Sequence, residues 1–188
     1  MFTVPNASGR APVIETARLR LRGHRPADFT DCLALWNEAI VYRHITGKPG
    51  SEGEVWARIL RYIGHWNALG FGYWAVEDKA TGQFVGEVGF ADYKREIEPP
   101  LTDMPELGWV MTPTRHGQGY GTEAVGAAVA WGDAHFGSRR MCCIAAPENT
   151  ASLRLAAKFG FNEVAHTTYL GDPTIMFIRE ANRRSPPP

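Results

Sequence analysis

The run His116-Gly117-Gln118-Gly119-Tyr120-Gly121 has more chemical content than any other part of the chain. It follows an apolar, strand-like stretch, Glu106–Thr112, and precedes a helical one with Val125, Val129, Gly132 and Phe136 on one face. Glycines here let the backbone approach a bulky anion and turn its N–H groups inward. The helix start adds unpaired N–H groups and the positive end of a dipole. A phosphate or pyrophosphate is the natural occupant; the plain alternative is a tight turn and nothing more. The Walker pattern is excluded, because Gly121-Thr122-Glu123 lacks its lysine. Gly119–Ala124 fits the loose dinucleotide pattern G-x-G-x-x-A. That makes a dinucleotide the second reading, although a Rossmann half needs successive βαβ units and this turn follows antiparallel-type strands.

Other reactive types are less pointed. Asn149 suits a helix N-cap, and Ser152 would be the third helical residue, so both can simply satisfy helix-end N–H groups. Glu106 opens its strand beside the loop Asp92–Pro105, and Glu87 alternates with Val85 and Val88 on a neighbouring strand. Cys142 and Cys143 are adjacent on a strand, so they point to opposite faces, and packing is their expected role. The six histidines and three cysteines show no metal-ligand spacing, so no metal is expected.

The elements that must position these residues follow from periodicity. Arg18–His24 reads as a strand, and Phe29, Leu33, Trp36 and Ile40 recur at helical spacing behind Pro26. Ser51–Glu54 has capping-box form and opens a second helix carrying Val55, Ile59, Ile63 and Trp66. Strands at Phe71–Glu77 and Phe84–Ala91 come next, then Glu106–Thr112, the glycine turn and its helix. Arg140–Ala146 is a strand, Asn149–Phe159 a helix, and Phe161–Leu170 with Ile175–Arg179 a closing hairpin. The predicted order is β-α-α-β-β-β-α-β-α-β-β, a mixed α/β (α+β) fold in one domain over residues 17–181. Segments 1–16 and 182–188 are expected to be flexible ends.

Composition narrows the function classes. Twenty basic residues balance twenty acidic ones, so net charge gives no reason to expect nucleic acid or an anionic membrane as partner. No apolar run reaches the roughly 20 residues of a membrane helix, and no signal peptide is recognisable. With no disulfide framework, a cytoplasmic location is expected.

Four segments in sequence resemble the GNAT acetyltransferases, and within them the RimJ/RimL-like branch. They are Glu106–Met111, Gly117–Ala124, Pro147–Ser152 and Lys158–Phe161, with Arg18–Arg22 extending the match. The resemblance implies acetyl-CoA as acetyl donor, a mostly antiparallel sheet flanked by helices and splayed between Glu106–Thr112 and Arg140–Ala146, and no metal. The backbone of His116, Gly117, Gln118, Gly119, Tyr120, Gly121 and Thr122 would hold the CoA pyrophosphate. Trp109, Val110 and Met111 would pair with the pantetheine arm as if it were a strand, and Asn149 would touch that arm. Ser152 would protonate the departing thiolate, the amide of Val110 or Met111 would polarise the thioester, and Glu106, with Glu87 as backup, would be the base. His116 departs from the family's Gln or Arg, which touches only a side-chain contact. The acceptor implied is a primary amine. Neutralising an α-amine of pKa near ~8 at pH 7 costs ~1.4 kcal/mol, against ~4.6 kcal/mol for a lysine-type amine near ~10.4, which favours a protein N-terminus. A homodimer is compatible with this reading. A non-catalytic acyl-CoA-binding regulator is the rival of another class.

Overall fold

The computed structural model describes residues 9–181. Strands β1 (Ile14–Glu15) and β2 (Leu19–Gly23) lead into helices α1 (Phe29–Trp36), α2 (Ala39–Tyr42) and α3 (Glu52–Leu69). Next come β3 (Tyr73–Asp78), β4 (Phe84–Ala91), β5 (Glu106–Met111) and α4 (Tyr120–His135). The chain closes with β6 (Met141–Ala145), α5 (Thr150–Lys158), β7 (Asn162–Tyr169) and β8 (Asp172–Arg179). The eight strands form one sheet in the order β1-β2-β3-β4-β5-β6-β8-β7. Every pairing is antiparallel except β5 with β6, which is parallel.

The expected element order is recovered, with two differences. First, the sheet begins inside the segment expected to be flexible. Ile14 and Glu15 pair with Leu21 and Arg20, held by a turn in which the Thr16 N–H donates to Leu19 O at 2.9 Å. Residues 1–8 and the tail 182–188 lie outside the described residues. Second, the first helix breaks after Trp36. The Asn37 side-chain amide donates to Leu33 O at 2.8 Å and to Gly50 O at 3.1 Å, and Gly50 N–H takes the Trp36 carbonyl at 3.2 Å, so the segment before α3 closes the end of the helix. Ile40, expected on the same buried stripe as Trp36, therefore falls on separate α2 and is exposed.

Helix α3 starts where its cap chemistry dictates. The Ser51 N–H donates to Glu54 Oε2 at 2.8 Å, and the Glu54 N–H to Ser51 Oγ at 3.3 Å. Its stripe of Val55, Ile59, Tyr62 and Trp66 is buried, and Gly70 ends it in the left-handed region at φ 74°.

Apolar residues cover both faces of the sheet. Leu107 and Met111 of β5 pack with Ala124, Ala128 and Phe136 on the α4 side. Val110, one step out of phase, packs with Cys32, Trp36, Val55 and Ile59 on the α1 and α3 side. This alternation fixes which β5 side chains face which layer.

The splay is present where it was expected. Strands β5 and β6 share a single register pair, Glu106 with Cys142, beside a Cys142 N–H to Pro105 O bond of 3.0 Å. Beyond that apex β6 pairs with β8 along its whole length.

Candidate active site

The site grows from the two sides of this split. On one side β5 ends with the Thr112 N–H donating to Val85 O at 3.0 Å. Period-2 alternation then directs the Val110 N–H and C=O toward β4 and those of Trp109 and Met111 into the split. Two contacts agree: the Val110 carbonyl lies against Gly86 of β4, and the Met111 carbonyl accepts from His116 Nε2 at 2.9 Å. Of the two amides expected to polarise a thioester, Val110's is thus turned to β4, whereas Met111's faces the split.

After β5, Pro113–Arg115 makes a short 3-10 turn, and Gly117 and Gly119 adopt φ 72° and 81°, conformations that L side chains resist. Gly119 is the N-cap of α4. Among the described residues no protein acceptor meets the main-chain N–H groups of Gly117 to Thr122, whereas those of His116 and Glu123, on either side, are bonded to Pro113 O and Gly119 O. Side chains pin the turn from outside. Gln118 Nε2 donates to Thr114 O at 2.7 Å, and the Gln118 carbonyl accepts from Arg18 Nη1 at 2.9 Å. The buried Tyr120 hydroxyl donates to Asp78 Oδ2 at 2.6 Å. Arg18 also pairs with Glu123 at 2.7 Å, neutralising the acid in the first turn of α4.

On the other side of the split, Asn149 caps α5. Its Oδ1 accepts from the Ser152 N–H at 3.1 Å, so the capping role is real. The Ser152 hydroxyl is engaged by no other described residue.

A cleft of about 630 Å³ joins these parts. Trp109, Val110 and Met111 line it from β5; His116, Gly117, Gly119, Gly121 and Thr122 from the turn; Asn149 and Ser152 from α5. Gln118, Tyr120 and Glu106, expected with them, are not on its wall. Two contributions went unforeseen. The segment from Ile40 to Ile45 forms the facing wall because α2 is separate from α1. Arg43, Arg115, Arg154 and Lys158 give the cleft four cations against one acid, Glu148. The spacing of Arg154 and Lys158, four apart on a capped helix, could have signalled a shared face. Neither has an acidic partner among the described residues.

The candidate bases look different from their expected roles. Both oxygens of Glu106 are taken by Arg95, Nε to Oε2 at 2.6 Å and Nη2 to Oε1 at 2.7 Å. Glu87 is sealed: it is fully buried and accepts from Trp36 Nε1 at 3.1 Å and Cys32 Sγ at 3.3 Å. The His24 ring, also buried, stands 3.9 Å from both Glu87 and Asp28. Fully buried, Glu87 presents no exposed oxygen to an acceptor, contrary to the role of backup base expected for it. His24, Cys32 and Glu87 do bring ligand-type atoms within 4.8 Å of one another, which no sequence spacing announced. Three such atoms fall short of a closed tetrahedral zinc site, and Asp28 is committed to Arg22 at 2.7 Å. Burial pushes the thiols of Cys32, Cys142 and Cys143 up, so they stay protonated core residues. In the loop before β5, Asp92 is paired to Lys94, and Arg95 reaches Glu106 at the strand's start. The aromatic residues Tyr62, Trp66, Tyr73 and Trp74 are buried in the core.

Residues 18–162, which carry both the split sheet and the glycine turn, match a known family model, the acetyltransferase (GNAT) domain. The chain belongs to the GNAT acetyltransferase family. Its relatives include YkkB of Bacillus subtilis (strain 168), 29% identical over 156 residues, covering 78% of this chain and 83% of YkkB. Among solved structures, one from Bordetella pertussis assigned to the GNAT family superposes with a TM-score of 0.79 at 28% identity, covering 90% of this chain and 99% of that one. RimL, a ribosomal L7/L12 alpha-N-protein acetyltransferase solved with coenzyme A, has the same fold. It superposes with a TM-score of 0.72 at 17% identity, covering 90% and 98%. In this GNAT chain no helix among the described residues is long and apolar enough to cross a membrane.

Proposed function

We propose that this GNAT chain transfers the acetyl group of acetyl-CoA to a primary amine by direct attack within a ternary complex, with a protein N-terminal α-amine as the favoured acceptor. The observation that carries the reading is the row of unbonded main-chain N–H groups from Gly117 to Thr122, opening on a cleft with four cations. A diphosphate supplies the acceptor oxygens those donors lack. Arg43, Arg115, Arg154 and Lys158 add charge for the remaining phosphate groups.

The roles then follow the geometry. The N–H and C=O of Trp109 and the N–H of Met111 receive the pantetheine arm as a strand would, and a β5 amide directed into the split, that of Trp109 or Met111, polarises the thioester carbonyl. The amine attacks that carbon, the C–S bond breaks, and the Ser152 hydroxyl protonates the departing sulfur. Asn149 fixes Ser152 by capping its helix. Before it attacks, the ammonium loses its proton to water beside Glu106, an easy step for an α-amine. The likeness to RimL supports the N-terminal acceptor by fold alone. A location in the cytoplasm fits such a substrate.

The test is an amine-acceptor panel read by free-thiol release, with peptides bearing free N-termini expected to lead. Acetyl-CoA at 100 times its Kd should raise the unfolding free energy by ~2.7 kcal/mol, whereas NADH should leave the melting temperature unchanged. Binding of acetyl-CoA with no thiol release from any amine would favour a non-catalytic acyl-CoA-binding regulator.

A further inference from the structure

We propose that Arg95 is the positioning residue for Glu106 on the acceptor side of the split, an inference that rests on the transferase reading above. Glu106 stands at the apex, paired in register with Cys142, on the sheet face that carries Val110 toward α1 and α3. Arg95 grips it with a two-point fork. Such a fork fixes the plane of the carboxylate as well as its position.

The guanidinium is itself held from two elements. It lies 4.5 Å from the ring centre of Tyr93, in the loop after β4, and 4.7 Å from that of Tyr169, at the end of β7. Tyr93 packs against Tyr73, whose ring stacks on Tyr62 of α3 at 4.3 Å. The Tyr73 hydroxyl rests on Gly108 of β5, where a β-carbon would overlap it. The loop that carries Arg95 is thus tied to β3, α3, β5 and β7 together.

Arg95 also lines a second cleft of about 720 Å³, with Glu96 and Glu98 on one side and Thr167 and Thr168 of β7 on the other. Its acids suit a cationic acceptor. An incoming ammonium need not displace Arg95. A carboxylate has about four lone-pair sites and the fork uses two. Swinging Arg95 out would instead leave Glu106 buried without its partner, which is costly. Arg95 therefore stays, and Glu106, which lines neither cleft, works through its fixed charge at the apex rather than as a mobile base.

The experiment is steady-state kinetics of Arg95→Ala and Arg95→Lys with acetyl-CoA and the best amine from the panel. Arg95→Ala should lower kcat on the order of a hundredfold, the size expected for a misplaced group, while acetyl-CoA affinity measured by calorimetry stays within about twofold. Millimolar guanidinium, well below denaturing concentration, should restore turnover saturably. Arg95→Lys should fall between, since a point charge replaces the fork. Wild-type turnover in an Arg95→Ala enzyme, or a loss that neither guanidinium nor lysine recovers, would overturn the assignment. Wild-type inactivity on every amine would instead fell the transferase reading, which separates the two failures.

Discussion

The two ends of β5 treat polar groups in opposite ways. At the Met111 end, the main-chain N–H groups from Gly117 to Thr122 have no protein acceptor and open on a cationic cleft. At the Glu106 end, both carboxylate oxygens are bonded; one strand over, on β4 opposite Val110, Glu87 is likewise enclosed by Trp36, Cys32 and His24. A protein satisfies its buried polar groups internally when no ligand is to come. Donors left open in a shaped recess therefore mark where a partner is to be received, and closed networks mark what must hold still meanwhile. The difference separates binding from positioning along a single strand.

Three measurements would break or sharpen that contrast. The largest effect is expected at Ser152, whose hydroxyl belongs to the open side. Ser152→Ala should lower kcat about a hundredfold, at the low end for general acid catalysis, with acetyl-CoA affinity unchanged by calorimetry. Unaltered turnover would reduce Ser152 to the third residue of a capped helix. Next is Gly119→Val. A β-branched residue at φ 81° is strained by roughly 1–2 kcal/mol, so the turn should shift and acetyl-CoA affinity fall about tenfold in the same titration. Retained affinity would mean that those amides do not hold the diphosphate.

The smallest effect concerns the closed side and pH. Burial lowers the pKa of His24 below its ordinary value of 6.5. As pH falls through 6.5 the unfolded imidazole binds a proton that the folded one refuses. Stability is therefore flat above that pH and declines below it, by at most ~1.4 kcal/mol per pH unit from this group. Urea melts at pH 7.5 and pH 5.5 should show the decline, and His24→Gln should flatten that part of it. An identical slope in the variant would assign the decline to other groups.

Much of this molecule was legible before its coordinates. The element order, the glycine turn and the capped α5 rest on local signals: periodicity, cap chemistry and left-handed glycines; the splay was legible only through the family resemblance. The break after Trp36 was missed because Ile40 kept helical spacing while the Asn37 side chain captured Leu33 O and Gly50 O. That break creates the Ile40–Ile45 wall of the cleft. Pairings were the other blind spot. Nothing local joins Glu123 to Arg18, 105 residues away, or brings Cys32 to Glu87, 55 residues away. Even the pairing of Arg95 with Glu106, only 11 positions away, has no local signal, because it depends on how an irregular segment folds back. Period-2 alternation did carry information that was not used: applied to β5 it turns Val110's amide away from the split.

The lone register pair between β5 and β6 has a mechanical consequence. Past it, the angle between the two leaves of the sheet is set by what packs behind them, with no backbone rungs to lock it. A ligand arm lying there would act as a wedge and a rung together, turning a loose hinge into continuous fabric. On the proposed reading, the line with the fewest backbone rungs is the one the ligand arm would brace.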